Sequence, residues 1–454
     1  VTATDGGIVV LADDLTGAAE VAAVFASTTQ TAVAVELWPP AASHASGSSL
    51  SATQPLVRCL ELNLRGLPVE DGLAPLDDAL DSLAGQRRVL LKVDSHYRGA
   101  IRAYLDHLRA HESRGTIVFA AALPALGRTV RDGALNVGGL PLRESSAAHT
   151  WRNEGVGPPA VVADVVGPGW QQVGLDAVRN GGIEPLGPLI ASDAETDDDL
   201  DRIVRAVWDL PRVTFVGSAG LAAAIGRKLR ADSEAPSDRL ADAEVPLGSP
   251  SAHAGAVLLV IGTTESGTRE QLTEFDRLND GPVSGVRASI DADPAAVAAR
   301  VHSLLTASTA VALLPPAEFV PGAEDVVAEA LARTTALAVA KYDKGREPES
   351  PTAIVIIGGH TAHFVLDALA VRTLTIIGDA HHGAVISRAE NGRLIATRPG
   401  SFGGADSLAR IVAAMRGRSR EPGYPAEPHD PGDLPESSRD SNQADPKDRQ
   451  RGPQ

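Results

Sequence analysis

The sequence predicts an α/β protein built as two Rossmann-like domains with mostly parallel sheets and a cleft between them. Three observations carry this expectation. Short, continuous apolar runs rich in Val, Ile and Leu recur along the chain, as in strands buried on both faces of a parallel sheet. Each is followed by a turn rich in Gly, Asp or Ser and then by a helical stretch, the grammar of right-handed strand–helix crossovers. A polar, Pro-containing passage over 231–255 separates two such series and reads as a linker. The expected layout is a first domain over 1–230, that linker, a second domain over 256–415, and a disordered tail over 416–454.

Taken in order, Gly7 to Ala12 carries the run IVVLA and reads as the first strand. Asp13-Asp14 break it, and the Ala-rich stretch Gly17 to Ser27 has helical preference. Leu56 to Leu60 is strand-like and holds the single cysteine, Cys59, which reads as a small buried hydrophobe. Val89 to Val93 runs into DSHYRG and a helix over Ala100 to His111. Thr116 to Ala121 runs into LPALGRT, and Val213 to Val216 enters GSAG and the helix Leu221 to Arg230. After the linker, Ala256 to Ile261 leads into GTTESGT, Thr309 to Leu314 is another strand, and Ala353 to Ile357 leads into GGHTAHFVLDAL. Thr373 to Ile377, a hairpin around Glu390-Asn391-Gly392 and the helix Ser407 to Met415 complete the second domain. Beyond Arg416 the text collapses to Pro, Ser, Asp, Arg and Gln, with almost nothing to bury.

Composition limits the function. The 454 residues contain 43% hydrophobic and 22% charged side chains, enough apolar matter for two or three cores. Basic residues number 41 and acidic residues 58, a net charge of −17, and aromatics make up 3%. That field repels nucleic acid and anionic membrane, and few rings are present to stack bases. No apolar run reaches the roughly 18 residues that would cross a bilayer, so a soluble, cytoplasmic protein is expected. One cysteine makes neither an internal disulfide nor a thiolate metal cage. An anionic substrate would therefore need basic side chains gathered locally in strand-end turns.

Such turns exist. In LADDLTGAAE, Asp13 and Asp14 stand at a strand's carboxyl end, where an α/β sheet puts its ligands, and the following helix opens with free N–H groups. A capping role for Asp14 or Thr16 is the plain alternative, but a cap does not require two adjacent acids. In LKVDSHYRGAI, Lys92, Ser95 and Arg98 form a local basic and hydroxyl cluster suited to a carboxylate; alternatively, Asp94 and Arg98 make a structural ion pair and His96 is surface. LPALGRTVRDG presents Arg128, Thr129 and Arg131 on the same rim, or is an ordinary connection. In the second half, Gly262-Thr263-Thr264, Gly358-Gly359-His360-Thr361 and Gly400-Ser401-Phe402-Gly403 are Gly turns after strands. They permit close backbone approach to phosphate oxygens, although Gly after a strand is also common turn chemistry. No P-loop occurs, and GSAGLA at Gly217 to Ala222 is a fragment of a dinucleotide fingerprint that close helix packing explains equally well.

The ordered set DDLTGA, K-x-DS-x-x-RG, P-x-x-GRT, GSAGLA, a Gly-Thr turn, GG-x-TA and a final G-x-FG turn resembles the four-carbon acid sugar kinase family over nearly all of Val9 to Met415. The resemblance implies a sugar-acid-binding N-terminal domain, an ATP-binding C-terminal domain and phosphoryl transfer in the cleft to a hydroxyl of threonate, erythronate or 3-oxo-tetronate, with Mg²⁺. Carried over by position, Asp13, Asp14, Ser95 and Arg98, with Arg128 and Thr129, face the acid. Gly262, Thr263, Thr264, Gly358, Gly359, His360, Thr361, Gly400, Ser401 and Gly403 face ATP. Asp13 is assigned as base and Arg98 as carboxylate clamp, with Asp14 the competing base; no residue is assigned to the metal. The chain departs from the family pattern at His96-Tyr97, Glu265, His360 and Arg398. Two other readings stand beside the kinase: a catalytically silent sugar-acid and nucleotide sensor, and a nicotinamide-dependent oxidoreductase built on GSAGLA, for which Asp242 falls in the window of the ribose acid but lies in the linker and not at a strand end. The expected partners are the small acid and ATP, with no nucleic acid and no membrane; a homodimer is an open option.

Overall fold

The computed structural model describes residues 7–39, 56–66, 73–83, 86–111, 115–151, 157–183, 187–234, 255–263, 266–279, 283–288, 292–318, 322–344, 351–400 and 402–417. Thr264, Glu265, Ser401, most of the expected linker with Asp242, and the tail beyond 417 lie outside the described residues.

The N-terminal half runs β1 (Ile8–Ala12), α1 (Leu15–Thr29), β2 (Ala34–Leu37), β3 (Val57–Glu61), α2 (Ala74–Ser82), β4 (Arg88–Lys92), α3 (Ile101–Ala110) and β5 (Thr116–Ala120). A small antiparallel sheet follows, β6 (Arg128–Arg131), β7 (Ala134–Val137) and β8 (Leu140–Pro141). Then come α4 (Val162–Val166), β9 (Gln171–Val173), α5 (Leu175–Arg179), β10 (Leu189–Ser192), α6 (Asp197–Val207), β11 (Val213–Gly217) and α7 (Ala219–Glu234). The C-terminal half runs β12 (Val257–Ile261), α8 (Ser266–Leu278), β13 (Ser284–Arg287), α9 (Pro294–Ala307), β14 (Ala310–Leu314), α10 (Glu324–Asp343), β15 (Ala353–Ile357) and α11 (Gly359–Ala368). It ends with β16 (Thr373–His381), β17 (Ala384–Ala389), β18 (Leu394–Arg398) and α12 (Ser407–Met415). The unbroken apolar runs of β1, β12 and β15 are buried along their whole length, as two-faced burial in a parallel sheet requires.

Among the described residues the main strands form one sheet of fifteen, in the order β13-β14-β12-β15-β18-β17-β16-β2-β3-β1-β4-β11-β5-β10-β9. The two parallel blocks expected from the sequence are present. They are joined edge to edge by an antiparallel pairing of β16 with β2, in which Leu374 opposes Val35. Three successive antiparallel ladders, β2–β16, β16–β17 and β17–β18, reverse the strand sense between the blocks.

Register sets the rim of the site. Ala12 aligns with Glu61 and with Lys92, and Lys92 with Gly217, so the turns after β1, β3, β4 and β11 leave the sheet at one level. Ile357 aligns with Ile261 and with Arg398, doing the same for the three Gly turns. α1 ties the halves together: it packs against α7 on its own side and against β16 and α11 of the other half. One apolar cluster runs through both halves, from Val10, Phe25 and Phe215 to Val260, Leu366 and Ile376. A second, with Val257, Phe275 and Ile411, lies within the C-terminal half.

Candidate active site

The acidic turn after β1 is the centre of the site. Asp14 caps α1, accepting from the Gly17 N–H at 2.9 Å and from Thr16 Oγ1 at 2.7 Å. Asp13 is fully buried and accepts three bonds from Arg65: Nη2 lies 2.7 Å from Oδ1 and 2.8 Å from Oδ2, and Nε lies 3.1 Å from Oδ2. Arg65 also reaches Asp14, Nη1 to Oδ2 at 3.1 Å, and stands 4.0 Å from Asp94. Burial pushes the Asp13 carboxyl up to about 6, although Arg65 pulls it the other way. At Asp14 burial acts in the same direction, but Arg65 and Lys92 outweigh it and hold the group below its ordinary value. Two neighbouring acids thus differ in proton affinity.

The turn after β4 sorts its residues into two jobs. Arg98 grips Asp94 with Nε at 2.9 Å and Nη2 at 2.7 Å, and the His96 N–H also donates to Asp94. Burial opposes ionisation of Asp94, yet Arg98 and Arg65 hold it well below the carboxylate range. The guanidinium fork of Arg98 is therefore engaged by its own turn, in the ion pair that the sequence offered as the alternative to a substrate clamp. His96 is buried, with its pKa pushed down to about 3 by desolvation, and its carbonyl accepts from Trp151. It is a neutral structural group, buried and not at the surface. Ser95 accepts a hydrogen bond from Arg128, at the start of β6. Arg128 has no carboxylate within ion-pair distance among the described residues, and burial lowers its pKa. Thr129 pairs with Asn136 in the small sheet.

The three Gly turns form one wall. A Cβ on Gly262 would collide with Thr361, and one on Gly400 would lie 3.1 Å from Thr263 Oγ1, so the turns touch through the absence of side chains. The Gly358 N–H donates to the Arg398 carbonyl at 2.9 Å, and α11 begins at Gly359 without a side-chain cap, leaving its first N–H groups available to an anion. Gly403 approaches Ser407 and Arg398. His360 points outward to Asp325 at 2.7 Å and stands apart from this wall. Arg398 is fully buried, donating to the Phe402 carbonyl and, at 2.8 Å, to Ser407 Oγ, and desolvation lowers its pKa to about 10. It shapes the third turn from beneath.

The two sets of turns meet. A Cβ on Gly359 would lie 2.9 Å from Asp14 Oδ2 and 3.1 Å from Thr16 Oγ1, so the uncapped start of α11 faces the acidic turn at contact distance. Glu20 of α1 lies 3.6 Å from Lys92 and 3.3 Å from His382, and Arg128 sits over the Phe402 ring. Most residues singled out from the sequence are thereby gathered at one junction. Arg65 was missed. It sits on a 3-10 turn, Leu64–Gly66, after β3, and the signal was legible: LRG at a strand end repeats the YRG of residues 97–99. GSAGLA is a packing device, since a Cβ on Gly217 would strike the Ala120 carbonyl and one on Gly220 would lie 2.5 Å from the Ala122 carbonyl.

Comparison with known proteins divides the chain in the same way. A family model for a sugar-binding N-terminal domain matches residues 8–225, and one for a nucleotide-binding C-terminal domain matches 258–408. The D-threonate kinase of Bordetella bronchiseptica is 28% identical over 431 residues, covering 90% of this chain and 97% of that protein. The 3-oxo-tetronate kinase of Methylobacterium radiotolerans is 27% identical over 437 residues, covering 89% and 98%. The crystal structure of Haemophilus influenzae protein HI1011 has the same fold, with a TM-score of 0.64 at 19% identity over 90% of this chain and 100% of that one.

Proposed function

The chain belongs to the four-carbon acid sugar kinase family, and from that premise we propose how its residues carry out the reaction. The protein is an ATP-dependent kinase that phosphorylates a hydroxyl of a small sugar acid. The observation that carries the mechanism is the contact of Gly359 with Asp14 and Thr16, which brings the start of the nucleotide-side helix to the carboxylate pair.

In this reading Arg128, with Ser95, receives the substrate carboxylate, because Arg98 is held by Asp94. The acceptor hydroxyl lies toward Asp13 and Asp14. One of the two takes its proton as the new O–P bond forms and the bond to the ADP oxygen breaks. Arg65 positions both carboxylates and offsets the negative charge gathered there. Between the two acids, Asp13 has the higher proton affinity but is enclosed under Arg65, whereas Asp14 is partly open and faces Gly359. We therefore assign Asp14 to the hydroxyl and Asp13, with Arg65, to orientation and charge. The exposed N–H groups at the start of α11 and the turns at Gly262 and Gly400 cradle phosphate oxygens. Positioning and charge neutralisation supply most of what phosphoryl transfer asks of a protein.

Among the described residues the side chains do not form a resident magnesium cage. Among the described residues no group of three His, Cys, Asp or Glu could hold a metal, and Asp13, Asp14 and Asp94 are taken up by Arg65 and Arg98. In our proposal magnesium enters as part of the Mg·ATP substrate. No helix among the described residues is long and apolar enough to cross a membrane, and the cytoplasm, which holds ATP, is the compartment we propose.

The relatives point to D-threonate and 3-oxo-tetronate as first substrates to try, and a coupled ADP-release screen over four- and five-carbon sugar acids tests the reading. Acid-dependent ADP release supports it. ADP release unaffected by any acid, or NADH oxidation in its place, would contradict it.

A further inference from the structure

Phe402 lies in the turn between β18 and α12, on the nucleotide side, yet its ring touches Arg128, which belongs to the acid side. The Arg128 guanidinium sits 5.5 Å from the ring centroid. The same ring stacks on His382, with centroids 6.1 Å apart and planes inclined by 19°. His382 in turn lies 3.3 Å from Glu20, which is itself 3.6 Å from Lys92 at the end of β4. The backbone on either side of the ring is fixed from its own half: the Phe402 carbonyl accepts from Arg398, and the Gly403 carbonyl accepts from Gln271 at 2.8 Å. A single aromatic side chain thus connects the turn expected at the nucleotide phosphates to the arginine that reaches Ser95.

We propose that Phe402 is a positioning residue that makes recognition of the acid's carboxylate depend on the nucleotide turn, so that acid and nucleotide bind synergistically. The inference rests on the reading in which Arg128 receives the acid. A long guanidinium side chain loses rotamer freedom when it binds an anion, and a ring that already holds it removes part of that cost. Any nucleotide contact that fixes the Arg398–Gly403 turn fixes the ring, and with it Arg128. By linkage, the acid must then tighten nucleotide binding by the same factor.

The test is titration calorimetry with D-threonate, in the absence and presence of magnesium and a non-hydrolysable ATP analogue, on the wild type, Phe402→Tyr and Phe402→Leu. The wild type and Phe402→Tyr should bind D-threonate about tenfold more tightly when the analogue is present, since a half-buried cation–π contact has about that worth. Phe402→Leu keeps apolar bulk but loses the ring face, so its ratio should fall toward one while its melting temperature stays near that of the wild type. A wild-type ratio of one, or a Phe402→Leu ratio equal to the wild type's, would overturn the coupling. ADP release by the wild type is followed in parallel with D-threonate and the related acids. Acid-dependent release together with an unchanged Phe402→Leu ratio strikes the coupling alone. No release with any acid strikes the kinase reading, and the coupling with it.

Discussion

At the scale of residues, the site is a matter of which arginine serves which carboxylate. Arg98 closes on its own Asp94, Arg65 holds Asp13 and Asp14, and Arg128 faces Ser95 with no carboxylate within ion-pair distance among the described residues. Replacing Arg128 with Lys should therefore raise KM for the acid about ten- to a hundredfold with a smaller change in kcat, because a point ammonium does not reproduce the fork. Arg98→Lys should instead lower the melting temperature, with little change in KM. Steady-state kinetics beside thermal melts separates the two, and the reverse pattern would exchange their roles. Arg65→Met should destabilise the protein by on the order of 3 kcal/mol, since it strands buried carboxylates. The raised carboxyl of Asp13 also gives a pH dependence. It is protonated below about 6 and ionised above, so an orientation role that needs its charge, to hold Arg65, predicts kcat/KM climbing as pH rises through that value. Asp13→Asn should lower turnover and erase that ascending limb; an unchanged profile would remove Asp13 from the account. The acids, Ser95 and the Gly turns were legible because each stands at a strand end in a distinctive string. The partition among the arginines was not, because pairing is decided by side-chain reach across turns far apart in the sequence, as between Arg65 and Asp13.

At the scale of elements, the decisive feature is a helix start with no side chain in the way. Gly359 stands where a methyl group would press on Asp14 and Thr16. Ala is a better helix former than Gly, which offsets part of the cost of that overlap, so Gly359→Ala should lower the melting temperature by a few degrees at most. It should nonetheless lower kcat about a hundredfold, because displacing a reacting group by about an ångström has that effect. Wild-type turnover in this variant would show that the contact is incidental. The strand–turn–helix units themselves were readable from apolar runs and Ala-rich stretches such as β1 and α1. The short elements β2, β9, β10 and β13 and the small sheet β6–β8 were not recognised, because two to four residues carry too little periodicity to stand out from a loop. The turn after β5 reads as a Gly/Pro loop, yet Arg128 already lies in a strand whose partner, β7, comes a few residues later.

At the scale of the whole molecule, the sequence suggested two bodies on either side of a polar passage, and the strands of the two halves join into one sheet with an apolar cluster shared between them. The β2–β16 ladder was hidden because β2 is short and its partner lies more than three hundred residues away in the chain. If the halves share a core in solution, amides of that ladder should exchange as slowly as those of β1 and β15; fast exchange there would mark a hinge between separately stable bodies. The shared sheet gives the acid turn and the phosphate turns a common frame, and the central claim is that phosphoryl transfer takes place where they meet, between Asp14 and Gly359. The most direct test is ³¹P NMR of the protein incubated with Mg·ATP and, in turn, D-threonate, erythronate and 3-oxo-tetronate, compared between the wild type and Asp14→Asn. The wild type should convert the ATP signals into those of ADP and one phosphomonoester with at least one of these acids, and Asp14→Asn should form none while keeping its fold. An equal yield of phosphomonoester from Asp14→Asn, or none from the wild type with any of the three acids, would contradict the account.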